Sequence, residues 1–229
     1  MMENSFIDFH NVTFGFPEKA TLFMDLTLSI RKGAFYLVKG PSGVGKTTFL
    51  RLMNRLEEPN SGEIRFKGKL LGDYPPPQLR HSLLHIQQTP AVMDGSVQEN
   101  LLLPFSFKNN HHLKKPGHHE LENLLREVHL HDLGLNEHAM NLSVGQLQRI
   151  CLIRGILLSP EVLLLDEPTS ALDRDSARSV MALLERLNVE SELTLLIITH
   201  KRYTPEHVEP RFLNVTHGRI EESHDPQHH

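Results

Sequence analysis

The sequence predicts an α/β fold: a sheet core, an antiparallel β part ahead of it, and a helical part inserted into it. Three observations carry this. Ala34 to Lys39 reads as a strand that opens into the glycine-rich run Gly40-Pro41-Ser42-Gly43-Val44-Gly45-Lys46-Thr47-Thr48 and then into helical spacing. The apolar tetrad Val162 to Leu165 ends in Asp166 and Glu167. Between these, from Thr89 to about Leu158, the pattern turns helical before strands resume, as expected of an α/β core with an insertion. The 229 residues suit one domain, with 1–88 and 159–229 forming the core and 89–158 the helical part.

Taken in order, Phe6 to Phe16 and Leu26 to Ile30 alternate apolar and polar residues and predict antiparallel strands. After the glycine-rich run, Phe49, Leu50, Met53 and Leu56 form the apolar stripe of a helix. The cluster at 57–62 is a turn, and Glu63 to Gly68 a short strand. Pro75, Pro76 and Pro77 argue against a helix or strand through that point, and Ser82 to Gln87 is the next strand. Leu121, Leu124, Leu125 and Val128 mark one face of a helix that Gly134 can end. Before it, Lys108 to His119 reads as a surface loop. Its His111, His112, His118 and His119 lack the carboxylate or cysteine that would fix a ligand geometry, so a solvated loop is expected rather than a metal site. The same reading covers His224, His228 and His229. Val162 to Leu165 suits a parallel strand buried on both faces. A helix with Ala177, Val180, Leu184 and Leu187 on one stripe follows it. Thr194 to Thr199 is a second buried strand, and 211–220 a hairpin around Gly218.

The run Gly40 to Thr48 fits G-x-x-x-x-G-K-[ST], the phosphate-binding P-loop. A polyphosphate needs several N–H groups converging on its oxygens, and glycines let the backbone come close. Lys46 adds a mobile cation, and Thr47 a hydroxyl for magnesium. The helix that follows aims its N-terminus at the phosphates. Asp166 and Glu167 stand beyond the carboxyl end of a strand, where open α/β sheets bind ligands. One carboxylate there can hold magnesium while its neighbour takes a proton from water. Ser143 and Gln146 fit an S-x-x-Q capping box, a helix start that also presents N–H groups to an anion.

Composition narrows the possibilities. The formal net charge of −4 gives no support to nucleic-acid binding. The single cysteine, Cys151, cannot form an intrachain disulfide, consistent with a reducing compartment. Met1 to His10 lacks the continuous apolar core of a signal peptide. No window approaches the ~20 apolar residues of a membrane span, so a soluble chain is expected, with any membrane role reached through a partner.

With these motifs in place, the chain resembles the nucleotide-binding subunit of an ATP-binding cassette (ABC) transporter, from Phe6 to Glu222. Gly40 to Thr48 matches the Walker A loop, Leu142-Ser143-Val144-Gly145-Gln146 is similar to the LSGGQ signature, and Val162 to Glu167 matches Walker B. Ser170 to Asp173 resembles the D-loop, Gln88 the Q-loop glutamine (with Gln87 beside it), His200 the switch histidine, and Phe16 the aromatic that stacks on adenine. The resemblance implies a RecA-like P-loop NTPase core that binds ATP and Mg2+. Two copies, or a copy and a related ATPase subunit, would sandwich two ATP molecules head to tail, the P-loop of one facing the signature of the other. It implies that Lys46 holds the β/γ-phosphates, that Thr47, Asp166 and Gln88 serve the metal, and that Glu167 is the general base. His200 would contact the γ-phosphate, with Ser143, Gly145 and Gln146 reaching it from the opposite subunit and Asp173 linking the sites. A separate integral membrane permease is the implied partner, docking on a face that includes Gln88 to Leu103, and the implied location is the cytoplasmic face of the cell membrane. The stretch 88–105 resembles the small ATPase subunits of bacterial metal or iron exporters.

Three positions depart from the family pattern. Val144 replaces the first signature glycine, and a β-branched residue at positive φ is strained, so negative φ is expected there. Leu147 stands where a polar residue is usual, and Phe16 where tyrosine is commoner. None removes a catalytic group, so an active hydrolase is expected. The alternative class is a mechanical ATPase of the same build acting on a non-transporting membrane complex, as in cell division or lipoprotein release. DNA-repair or translation ATPases of related design would carry a coiled-coil insertion or a second cassette, and a small-molecule kinase would leave Ser143 to Gln146 unexplained.

Overall fold

A computed structural model describes residues 5–18, 20–201 and 203–223; Met1 to Asn4, His224, His228 and His229 lie outside the described residues. The chain opens with β1 (Ser5–Phe14) and β2 (Phe23–Arg31), then β3 (Phe35–Lys39) leads into α1 (Lys46–Met53). β4 (Ser61–Phe66) and β5 (Lys69–Leu70) precede α2 (Pro76–Ser82) and β6 (Leu83–Ile86). Three helices follow: α3 (Val97–Leu102), α4 (His118–Glu127) and α5 (Val144–Ile156). The chain closes with β7 (Val162–Asp166), α6 (Arg174–Ser191), β8 (Thr194–Ile198), β9 (Pro210–Thr216) and β10 (Arg219–Ser223).

The strands form two sheets. An antiparallel sheet has the order β2-β1-β4-β5; a six-stranded sheet runs β10-β9-β3-β8-β7-β6, parallel except for the terminal β10. The near-continuous apolar runs of β3, β7 and β8 are explained by burial on both faces. Tyr36, Val38, Leu164, Leu196 and Ile198 point into a core shared with α1 and the antiparallel sheet. There the Phe49 ring lies 5.3 Å from Phe9 and 6.3 Å from Phe23. Their alternates Phe35, Leu37, Leu163, Leu165, Leu195 and Ile197 point into a second core with α3, α4, α5 and α6. The carboxyl ends of β3, β7 and β8 thus come together between the two cores.

Several local expectations need correction. Leu56 lies beyond the end of α1 at Met53 and is exposed, because Arg55 adopts positive φ and turns the chain out of the helix. The proline run does hold a helix: α2 starts at Pro76, where the first turn's N–H groups have no intrahelical partner to lose. Gly134 does not end α4, which stops at Glu127 with His129 in the left-handed conformation (φ 56°). His118 and His119, read as loop, form the first turn of α4. Phe16 falls outside β1, whose last residue is Phe14.

Candidate functional site

The loop between β3 and α1 takes its shape from backbone crowding. Gly40 has φ 145°, and a Cβ there would sit 2.3 Å from the Val215 carbonyl oxygen of β9, so any side chain would collide with backbone. Gly45, the N-cap of α1, has φ 107° and lies against the Phe23 ring. Pro41, Ser42 and Gly43 are exposed on the loop, with Val44 and Thr48 buried beneath it. The Lys46 ammonium donates to the Gly40 and Pro41 carbonyls at 2.8 and 2.7 Å, folding back over the loop. Burial lowers its pKa, and Glu167 and Asp166 partly offset this.

Opposite the loop, at the end of β7, the two carboxylates take different partners. Asp166 is buried and its Oδ2 accepts from the Thr47 hydroxyl at 2.7 Å. Glu167 turns away because its backbone leaves the strand at φ 51°, in the left-handed region that disfavours side chains. Its N–H donates to the Ile198 carbonyl of β8, which secures that conformation. The Glu167 carboxylate then receives Gln88 Nε2 on Oε2 at 3.1 Å and meets His200 Nε2 at Oε1, 3.2 Å away. Gln88, not Gln87, is therefore the glutamine that reaches it. Five predicted residues, Thr47, Gln88, Asp166, Glu167 and His200, drawn from four separate stretches of sequence, thus meet in three contacts beside one loop.

Phe16 is half-buried, its ring edge-on to Phe14 at 5.0 Å. Ser143 and Gln146 form the capping box of α5. The Gln146 N–H donates to Ser143 Oγ at 3.3 Å, and the Ser143 N–H to Gln146 Oε1 at 2.8 Å. Val144 is the first residue of α5, outside the positive-φ residues, and it is 59% exposed. The expectation of negative φ holds because Val144 lies in right-handed helix from the first turn. Gly145 faces the turn after β7: a Cβ there would lie 2.9 Å from the Ala171 carbonyl. Asp173 caps α6, accepting from the N–H groups of Ser176 and Asp175. These hold its carboxyl at a pKa of about 2.

One residue escaped the sequence reading. Gln148 is 3% exposed, and its Nε2 lies 3.0 Å from the Glu167 carbonyl, 3.2 Å from Ser170 Oγ and 3.4 Å from the Gln88 carbonyl. Its Oε1 accepts from the Ala171 N–H at 3.4 Å. It joins α5 to the segment that carries Gln88 and to the turn that runs on from Glu167. The signal available was a long polar side chain two residues before the apolar run Ile150 to Ile153 of a helix with little amphipathic contrast.

Thr47 and Asp166 supply a hydroxyl and a carboxylate, hard oxygen donors suited to magnesium. Among the described residues no group of three or more His, Cys, Asp or Glu could hold a metal unaided. A small ion at this pair would take its remaining ligands from phosphate and water, as magnesium commonly does.

Comparison with known proteins agrees with this geometry. The family model for the ABC transporter matches residues 23–170. The Escherichia coli "Probable iron export ATP-binding protein FetA" is 33% identical over 210 residues, covering 91% of each chain. The methionine import ATP-binding protein MetN of Mesorhizobium japonicum is 36% identical over 207 residues, 86% of this chain and 54% of that one. ABC multidrug transporter E of Aspergillus fumigatus is 34% identical over 205 residues, and this chain spans only 16% of its length. Among solved structures, a dimeric ATP-binding cassette in a post-hydrolysis state bound to ADP and Pi superposes with a TM-score of 0.80 at 26% identity, covering 95% of this chain and 97% of the other. The P-loop, its paired carboxylates and these matches establish that the chain belongs to the ABC transporter family and has that family's ATPase fold.

Proposed function

We propose that this chain is the ATP-hydrolysing, energy-coupling subunit of a membrane ABC transporter, working as a head-to-tail dimer with two ATP molecules at its interface. The observation that carries the reading is the convergence on Glu167. It stands clear of the Thr47–Asp166 pair, and Gln88 and His200 hold it from two sides. In this reading Lys46 exchanges its loop carbonyls for the β/γ-phosphate oxygens, and the loop amides bind the rest. Thr47 and Asp166, with Gln88, would hold magnesium, which would supply neutralisation of phosphate charge. Glu167 accepts a proton from the attacking water, while His200 contacts the γ-phosphate. Ser143, Gly145 and Gln146 of a second copy close the site from the far side, with Asp173 at the junction, and Phe16 takes the adenine ring.

A groove of about 300 Å3 between β6, its following loop and α5 suits the permease. It is lined by Gln87, Thr89, Pro90, Pro104 and Phe107, with Phe107 55% exposed at its rim. Among the described residues no helix is long and apolar enough to cross a membrane, so the cargo path falls to another chain or segment.

The test is Glu167→Gln. Sedimentation in saturating MgATP should show a stable dimer, with ATP turnover reduced on the order of 10²–10⁴-fold. A variant that stays monomeric in MgATP, or hydrolyses it at the wild-type rate, overturns the proposal.

A further inference from the structure

Directly after His200, Lys201 sends its side chain across to the turn that follows β7. Its ammonium donates to the carbonyls of Thr169 and Leu172 at 2.7 and 3.0 Å. These residues flank Ser170 and Ala171, and the Ala171 carbonyl is the atom that a Cβ on Gly145 would meet. The backbone on either side of His200 is itself held. Lys39, the last residue of β3 before the P-loop, donates from Nζ to the Thr199 and Lys201 carbonyls at 3.1 and 3.3 Å. The Lys201 N–H adds a bond to Thr199 Oγ1 at 3.1 Å. An unbroken series of contacts therefore runs from the P-loop strand, through the segment that places His200 on Glu167, to the turn lying against the signature helix.

Neither lysine touches the carboxylates of the site, and both spend their donors on main-chain oxygens. Backbone carbonyls anchor position rather than chemistry. A single ammonium bonded to residues 169 and 172 fixes both ends of the short turn between them, where one neutral hydrogen bond would fix only one. We infer that Lys201 is a positioning residue. It locks the turn at 169–173 to the His200 segment, so that the surface presented to a second copy is set by the same segment that contacts the γ-phosphate. Lys39 plays the supporting part, keeping that segment in register with the P-loop. The inference rests on the proposed ATP-bound dimer, because that turn and the signature beside it form its interface.

The experiment uses the full chain in the Glu167→Gln background, comparing no second change, Lys201→Met and Lys201→Arg. Lys201 is exposed, so each variant is expected to fold, with melting temperatures checked by circular dichroism. Sedimentation in MgATP should show dimerisation weakened about tenfold by Lys201→Met and largely retained by Lys201→Arg. Binding of a fluorescent ATP analogue to dilute monomer should change less than twofold. With Glu167 restored, Lys201→Met should lower kcat while leaving KM for ATP nearly unchanged. Dimerisation weakened less than threefold by Lys201→Met overturns the inference. So does a matching loss of monomer nucleotide affinity, or a Lys201→Arg variant as weak as the methionine. If Glu167→Gln alone stays monomeric, the proposed function falls first and takes this inference with it.

Discussion

His85 shows how much a single residue can conceal in a short strand. It lies in β6 beside Leu164, and neither ring nitrogen has a hydrogen-bond partner among the described residues. Burial lowers its pKa to about 4, with Asp166 pulling up and Arg51 pushing down. The folded protein therefore holds this ring neutral, while the unfolded chain protonates it near 6.5. The associated stability is complete above pH 6.5 and is lost as pH falls towards 4, for a total of about 3 kcal/mol. Replacing His85 by Met removes two unpaired polar atoms. It should raise stability at neutral pH by about 1–3 kcal/mol and flatten the pH 4–6.5 slope, both measurable by urea unfolding. The position of His85 was legible from sequence; its isolation was not, because partners across a sheet are set by strand order. Glu167 is the complementary case. Its identity could be read from the Asp-Glu pair, but its left-handed backbone, which aims it away from Asp166, depends on the Ile198 carbonyl of a strand more than thirty residues on.

At the scale of the element, α5 combines what was legible with what was not. Its start could be read from Ser143 and Gln146, since a capping box is local chemistry, and the reciprocal bonds are present. Ser143→Ala should cost about 1 kcal/mol and lower the melting temperature by roughly 2–4 °C, as calorimetry can check. Gln148 and Arg149 could not be read because they serve segments remote in sequence. Arg149 donates to the Val128 and His129 carbonyls at the end of α4 and to Ser176 Oγ. Gln148→Met keeps the volume but strips four contacts, so ATP turnover should fall at least about tenfold at constant nucleotide affinity. A methionine variant with wild-type kcat would show that these bonds do not set the geometry of the site. The misjudged ends of α1 and α4 have one cause: Arg55 and His129 take left-handed turns that sequence reading assigns to glycine.

Across the whole molecule, the six-stranded sheet is common to both cores, since Leu163 and Leu164 are adjacent in chain yet point to opposite sides. Truncating either to Ala should cost about 2–5 kcal/mol. Fluorescence and circular dichroism should still report one coincident unfolding transition, because neither core can lose the sheet without the other. Separate transitions would mean that the helical layer melts independently. The parallel strands could be recognised as apolar runs, but their order, with β3 between β8 and β9, follows from connections that periodicity does not encode.

Gly155 sits where α5 crosses β6 so closely that a methyl group would lie 2.7 Å from a Leu84 Cδ and 2.8 Å from an Ile86 Cδ. The side chains on both sides of this seat leave no room for a methyl group, so the glycine sets how closely α5 rides on β6. Ser143 lies twelve residues away along the rod, about 18 Å at 1.5 Å per residue, so a ten-degree tilt would swing the signature through roughly 3 Å. In the proposed transporter subunit, a tilt of that size beside the strand that leads to Gln88 would separate an open from a sealed dimer interface.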